Sequence, residues 1–294
     1  MKNLNPRRGF VSLRRTMSLA LGSLRARPLR TVLTTFGVVL GVAVILGIST
    51  TNVSTLAALT DVFSQASGKA HLTVTPADTS TQGFSEDTLE RISAIGGVAA
   101  LVPVLHGQAS LADEASPAQM ELGMLGAAAG GLTIYGVDPT LDPLARNYKI
   151  LEGTFLSPDR DAYEIVLVKN YADDEEIRLG NEVTLITPDG PARFDVVGLM
   201  DKEGPGQLNN GAFGAIPLET AQEVFLRAGD LDQIDVVAQP EAAAGAALET
   251  LKDTLQARLG SDYTVMYPAA QGQRVSQMLS GYQMGLNMFS AIAI

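Results

Sequence analysis

The chain contains no cysteine and only two histidines, His71 and His106, in 294 residues. Without thiols there is no disulfide framework, no thiolate nucleophile and no cysteine metal site, so a folded part must rest on an ordinary apolar core. Both histidines stand in strand-like segments with no carboxylate or second histidine at ligand spacing, the pattern of structural or surface residues. Also missing are the Gly-x-x-x-x-Gly-Lys-Ser/Thr phosphate loop, the Gly-x-Ser-x-Gly elbow and the His-Glu-x-x-His helix. Serine and aspartate are plentiful, yet none has a positioned base beside it. The sequence therefore offers no catalytic residue, no metal site and no cofactor site, and the chain is read as not an enzyme by itself.

Charge is absent where it matters most. Thr31 to Thr60 holds no charged side chain. Its apolar heart, from Val32 to Thr50, supplies about 20 helical residues, roughly the 30 Å of a bilayer's hydrocarbon core. A buried core helix would show a polar stripe, and a cleaved signal peptide would have an apolar region of only about 7 to 15 residues. Residues 31–60 are therefore read as a first transmembrane helix with its outer extension.

Charge is divided unevenly about that run. The first thirty residues carry eight of the 21 basic side chains and no acid, whereas all 32 acids lie beyond Thr60 with the remaining thirteen cations. Lys and Arg near a span are held on the cytoplasmic side, so the N-terminus is predicted inside the cell membrane and everything from Asp61 outside, in a portion of charge −19. So acidic an exterior argues against nucleic acid as a partner, because phosphate binding needs clustered cations.

The basic tail suits membrane lipid instead. Phe10, Leu13, Met17, Ala20, Leu21 and Leu24 recur on one helical face, which predicts an amphipathic surface helix within residues 1–30. Arg14, Arg15, Arg25, Arg27 and Arg30 would anchor it at anionic headgroups. Pro28 disfavours a helical Arg27 and suits a first turn, so the chain should bend there into the span. Within the span Gly37 and Gly41 form a Gly-x-x-x-Gly, a possible helix–helix contact in a helix type where glycine is common anyway.

Beyond Thr60 the pattern is that of a folded domain. His71 to Pro76 alternates as a strand; Ser85, with Glu86 and Asp87 after it, reads as the cap of a helix stopped by Gly96-Gly97. Val98 to Leu111 reads as one or two strands interrupted at Pro103 and Gly107. Asp113 to Gly131 is rich in Ala, Gly and Met without period and reads as an inserted loop. Leu132 to Val137, Ile165 to Val168, Val183 to Thr187 and Phe194 to Leu199 read as strands, the last two joined by an Asp189-Gly190 turn. Asp173 to Glu176 lacks the alternation of a calcium loop and reads as a solvated first helical turn. Helices over Pro217 to Ala228 and Ala242 to Leu259 alternate with strands over Gln233 to Val237 and Tyr263 to Tyr267. Strand–helix–strand thus occurs on either side of a β-rich insert, a split α+β arrangement. Met284 to Ile294 is apolar but too short to cross a bilayer, so residues 275–294 read as the start of a second transmembrane helix.

Several stretches carry a resemblance. Leu24-Arg25-Ala26-Arg27-Pro28-Leu29-Arg30-Thr31-Val32-Leu33-Thr34, leading into Gly37-Val38-Val39-Leu40-Gly41-Val42-Ala43, resembles the start of FtsX/MacB-type ABC transporter permeases. Tyr135 to Pro139, Leu151 to Phe155, Leu179 to Val183, Phe194 to Gly198 and Ala215 to Gln222 resemble, in order, stations of that family's extracytoplasmic domain, with Asn181 where the family usually has Asp. The resemblance implies a permease subunit with four spans, a separate ABC-type ATPase as partner, and a second permease copy or paralogue in a dimer. It further implies an outer domain divided into a porter-like core, residues 61–137 and 214–274, and an inserted β-rich lobe, residues 138–213. On that reading this chain lacks the later spans, as a fragment or the product of a split gene. The rival is a sensor whose outer domain signals to a cytoplasmic module; a long polar coiled coil after Ile294 would mark it. A membrane-anchored hydrolase would need a base that neither histidine supplies.

Overall fold

The computed structural model describes residues 61–78 except Phe63, 83–112 and 131–271, together with seven helical positions between Leu29 and Leu40. The chain forms two compact units, Met1–Thr55 and Leu56–Ile294. In the first, Leu29, Val32, Leu33, Phe36, Val39 and Leu40 are helical with exposed side chains. Among the described residues no helix is long and apolar enough to cross a membrane. Gly41, Arg14, Arg15, Arg25, Arg27 and Arg30, the loop 113–130 and the run 275–294 lie outside the described residues.

From Asp61 the described residues of the second unit are helical through Ser67, and Val62 and Ala66 pack into its core. Strand β1 (Leu72–Pro76) follows at once. A short β2 (Phe84–Ser85) takes Ser85 into a pairing, so helix α1 starts at Thr88 and ends at Ser93. Strand β3 (Val98–Leu111) is unbroken. Pro103 sits opposite Ile234 in the ladder. Gly107 does not interrupt the strand: a Cβ there would lie 2.1 Å from the Phe225 ring, so the missing side chain is the seat of that ring.

The middle of the unit contains β4 (Leu132–Val137), a single helical turn α2 (Asp142–Ala145), β5 (Ile150–Gly153), β6 (Glu164–Val168), α3 (Lys169–Asp174), β7 (Glu182–Thr187) and β8 (Gly190–Met200). The acids Asp173 to Glu176 occupy the end of α3 rather than a first turn, and Glu176 takes a left-handed φ of 57° that terminates it. Lys169, four residues before Asp173, answers it at 3.0 Å. A 3-10 segment, Gly204–Gly211, carries Asn209 and Asn210 in left-handed conformations, and Asn209 donates to the Ala212 carbonyl at 3.2 Å. Then come β9 (Phe213–Pro217), α4 (Leu218–Val224), β10 (Asp230–Leu231), β11 (Gln233–Ala238), α5 (Gly245–Leu259) and β12 (Tyr263–Met266).

Ten strands form one sheet in the order β12-β1-β11-β3-β4-β9-β6-β8-β5, with β7 bridging β3 and β8. That bridge closes a ring, β3-β4-β9-β6-β8-β7. The length of β3 makes this possible. Its first half pairs with β11 from Val98 to Val104, its second with β4 up to Ala109, and its tip, Ser110 and Leu111, with β7. Among the described strand pairs only β4–β9 and β6–β8 are parallel.

On α5, Leu248, Leu251, Leu255 and Leu259 share one face by spacing, and all are buried against Ile92 of α1 and the β1–β11 surface. Each buried leucine contributes roughly 1.5–3 kcal/mol relative to exposure. Gly260, at φ 87°, ends the helix as its left-handed residue. A second cluster, with Val104, Val137, Val166, Val168 and Phe213, lies where the ring strands meet the incoming helix.

Candidate functional site

The site is built around α2. At the end of β4 the chain turns on Asp138, whose Oδ1 accepts hydrogen bonds from the Thr140 amide (2.9 Å), the Thr140 hydroxyl (2.7 Å) and the Leu141 amide (3.0 Å). Burial pushes this carboxyl up, but those bonds and Arg160, 3.2 Å away, hold it below its usual range. The turn sets Asp142 and Arg146 one helical turn apart on the same face. Both are buried, 0% and 2% exposed.

Arg146 then bridges two carboxylates. One guanidinium nitrogen, Nη1, donates to Asp142 Oδ1 and the other, Nη2, to Asp235 Oδ2 on β11. Burial by itself would lower the guanidinium pKa; Asp142 and Asp235 reverse that and keep it charged. One cation against two carboxylates leaves surplus negative charge in a dry place, and burial accordingly pushes the Asp142 carboxyl up. Asp235 has further donors: its Oδ1 accepts from the Thr73 hydroxyl at 2.8 Å and from Gln233 Nε2 at 2.7 Å. Truncating one member of such a network leaves a buried charge uncompensated, which costs about 3–5 kcal/mol.

Aromatic rings wall the cluster. Arg146 lies 5.8 Å from the Tyr135 ring centre, Tyr135 stacks on His106 at 4.4 Å, and Phe213 meets Tyr135 edge-on at 5.0 Å. Burial pushes the Tyr135 hydroxyl up to about 12 and that of Tyr148, which faces Asp142, well above its ordinary value. His106 is lowered by burial; its backbone amide donates to Asp232 Oδ2 at 2.7 Å, which also holds Arg227 at 2.8 Å. His71 is elsewhere, accepting the Ala238 amide at Nδ1.

The node is where both ends of the described unit are fastened. On the incoming side Lys69 N donates to the carbonyl of Ala145, in α2, at 2.6 Å, and Gly68, at φ 58°, passes so close that a Cβ would lie 2.5 Å from the same oxygen. Two residues later His71 N reaches Val236 O at 2.9 Å, and Thr73 reaches Asp235 itself. On the outgoing side Gln271 Nε2 donates to Gln233 Oε1 at 3.0 Å, and Gln233 passes its own amide to Asp235. Chemically this arrangement binds backbone to backbone; among the described residues no group of three His, Cys, Asp or Glu could hold a metal ion.

Sequence reasoning did not single out Asp142, Arg146 or Asp235. Two signals were present. Asp142 and Arg146 are an (i, i+4) pair in a segment otherwise poor in helix, and alternation in Gln233-Ile234-Asp235 puts Gln233 and Asp235 on one strand face. Of the predicted sites, Gly37 is helical with open space where a Cβ would be.

The fold is thus an α+β domain inserted between two chain ends that leave it side by side, on β1 and just after β12. The profile of the MacB-like periplasmic core domain matches residues 31–254, well over half of the chain, and the chain belongs to that family, the extracytoplasmic part of membrane-anchored permeases of the FtsX/MacB ABC-transporter type. Among curated proteins no relative matches it. Among solved structures, the periplasmic region of MacB from Actinobacillus actinomycetemcomitans is similar with a TM-score of 0.51 and 13% identity, over 71% of this chain and 94% of that one. The extracellular domain of the noncanonic ABC-type transporter YknZ from Gram-positive bacteria is similar over 67% of this chain and 98% of that one, at 16% identity and a TM-score of 0.42. The first of these likenesses is one of fold.

Proposed function

We propose that the chain is the permease subunit of an ABC transporter, coupling ATP hydrolysis by a partner ATPase to movement of its extracytoplasmic domain and so to efflux or extraction of a substrate outside the membrane. The family match, which runs from within the uncharged stretch through most of the outer unit, carries the reading. It favours a permease over the sensor. On this reading ATP is hydrolysed by the partner subunit and this chain is not itself an enzyme, which the lack of a phosphate loop in the sequence supports. The basic tail is cytoplasmic, with Arg14, Arg15, Arg25, Arg27 and Arg30 at lipid headgroups, and the outer unit stands outside. Gly37 and Gly41 contact a helix of a second permease copy or paralogue. Residues 138–213 act as a β-rich lobe inserted in a core of residues 61–137 and 214–274.

Two measurements test this. With an impermeant thiol reagent on intact cells, a cysteine at Ser261 is expected to label and one at Ser12 to remain protected; the opposite pattern would reverse the topology and end the permease reading. Purification of the full chain from its own membranes is expected to bring an ABC-type ATPase with it, and its absence from the complex would do the same.

A further inference from the structure

We infer that the Asp235 carboxylate and its Arg146 partner form the joint through which displacement of the two chain ends reaches residues 138–213. The inference rests on the permease reading above and names positioning residues within it. On that reading, movement generated in the membrane enters the domain along the backbone before β1 and after β12. Both routes converge. The incoming chain is bonded to α2 at Ala145 and to Asp235 through Thr73. The outgoing chain is bonded to Asp235 through Gln271 and Gln233. Among the described residues the charged bridge from Asp235 runs through Arg146 to Asp142, and α2 opens the β-rich segment that follows β4.

The chemistry suits a joint that must not slip. A buried guanidinium held by two carboxylates has fixed fork geometry and no solvent to exchange with, whereas an apolar contact would allow sliding. Tyr135 and His106, stacked beside it on β4 and β3, tie the same joint to the ring of strands. A displacement at either chain end therefore turns α2, and with it the start of β5, as one body.

The test uses the full chain in lipid nanodiscs with the ABC-type ATPase that purifies with it. Because there is no native cysteine, spin labels can be placed at Arg193 on β8 and Asp253 on α5, both exposed. In the unsubstituted protein, ATP turnover is expected to populate a second label-to-label distance. Thr73→Val with Gln233→Met removes the side-chain links of both chain ends to the Asp235 carboxylate, and leaves the backbone pairing of β1 with β11 and the Asp142–Arg146–Asp235 bridge intact. That double variant is expected to keep the distance seen without ATP and the rate of ATP hydrolysis, while its ATP-driven population falls about fivefold or more. Arg146→Lys, which keeps the charge and loses the fork, should fall likewise; if it does not fold, the double variant still decides. An unaltered ATP-driven shift in the double variant overturns the joint alone. No shift in the unsubstituted protein overturns the permease reading, and the joint with it.

Discussion

Gln256 on α5 uses its side-chain amide as a strand partner for Val265: Oε1 accepts the Val265 backbone amide at 2.9 Å, and Nε2 donates to the neighbouring Tyr263 carbonyl at 2.8 Å. Among the described strands β12 is the outer one of the sheet and pairs only with β1, so these groups would otherwise stand open to another chain. The helix that covers the sheet face thereby also closes its edge.

Gln256→Ala is expected to lower stability by about 1 kcal/mol and to promote concentration-dependent association through β12. Thermal melts and light scattering of the same sample check it. A variant that stays monodisperse would mean that the edge is protected by something other than this amide.

Gly107→Ala pushes a methyl group into the ring of Phe225, which is 7% exposed and packed in the main core. Overpacking of this kind costs about 1–3 kcal/mol. Adding Phe225→Leu should recover part of the loss, so that the double variant is less destabilised than the two single changes together. Denaturant unfolding of all three variants measures the coupling, and simple additivity would contradict the contact.

Burial lowers His106 from its ordinary value of 6.5, with Asp232 and Asp235 opposing the shift and Arg146 and Arg227 reinforcing it. The unfolded chain therefore binds a proton at a higher pH than the native one. The stability this neutral ring contributes is complete above about pH 6.5 and is lost as the pH falls from there toward the native value. Asp142, raised by burial, acts in the opposite sense nearer its unfolded value of 3.8. His106→Phe, which keeps the stack on Tyr135, is expected to flatten the fall in melting temperature between about pH 7 and pH 5. An unchanged slope would assign that fall to other groups.

Residues 61–274 alone are expected to fold as a soluble acidic domain that melts cooperatively without metal or nucleotide. The basis is its continuous core of buried aliphatic residues. Melting followed with and without a chelator checks this, and loss of the transition on chelation would point to a metal requirement.

The periodic elements were legible in sequence because a single face decides them: the leucine stripe of α5, the alternation in β1, and the Asp189-Gly190 turn between β7 and β8. β3 was harder, since Pro103 and Gly107 normally break a strand and only the Phe225 ring explains why Gly107 does not. Pro217 both closes β9, paired beside Val137, and caps α4, so the helix itself starts one residue later, at Leu218. The node was illegible for a different reason. A buried charge looks like a surface charge until its partner is known, and Asp235 meets Arg146 across 89 positions of sequence.

The position of β1 governs how the domain comes into being. This strand is made first, yet its two neighbours, β11 and β12, are made last: Leu72 waits for Val236 and Thr73 for Met266. A nascent chain thus carries an unsatisfied apolar strand beside the ribosome or membrane until nearly the whole unit has emerged, a topology that folds slowly and is exposed to aggregation while it waits. Truncation before β11 leaves that first strand without either neighbour, and truncation between β11 and β12 leaves one of its edges open, so only the complete unit satisfies it.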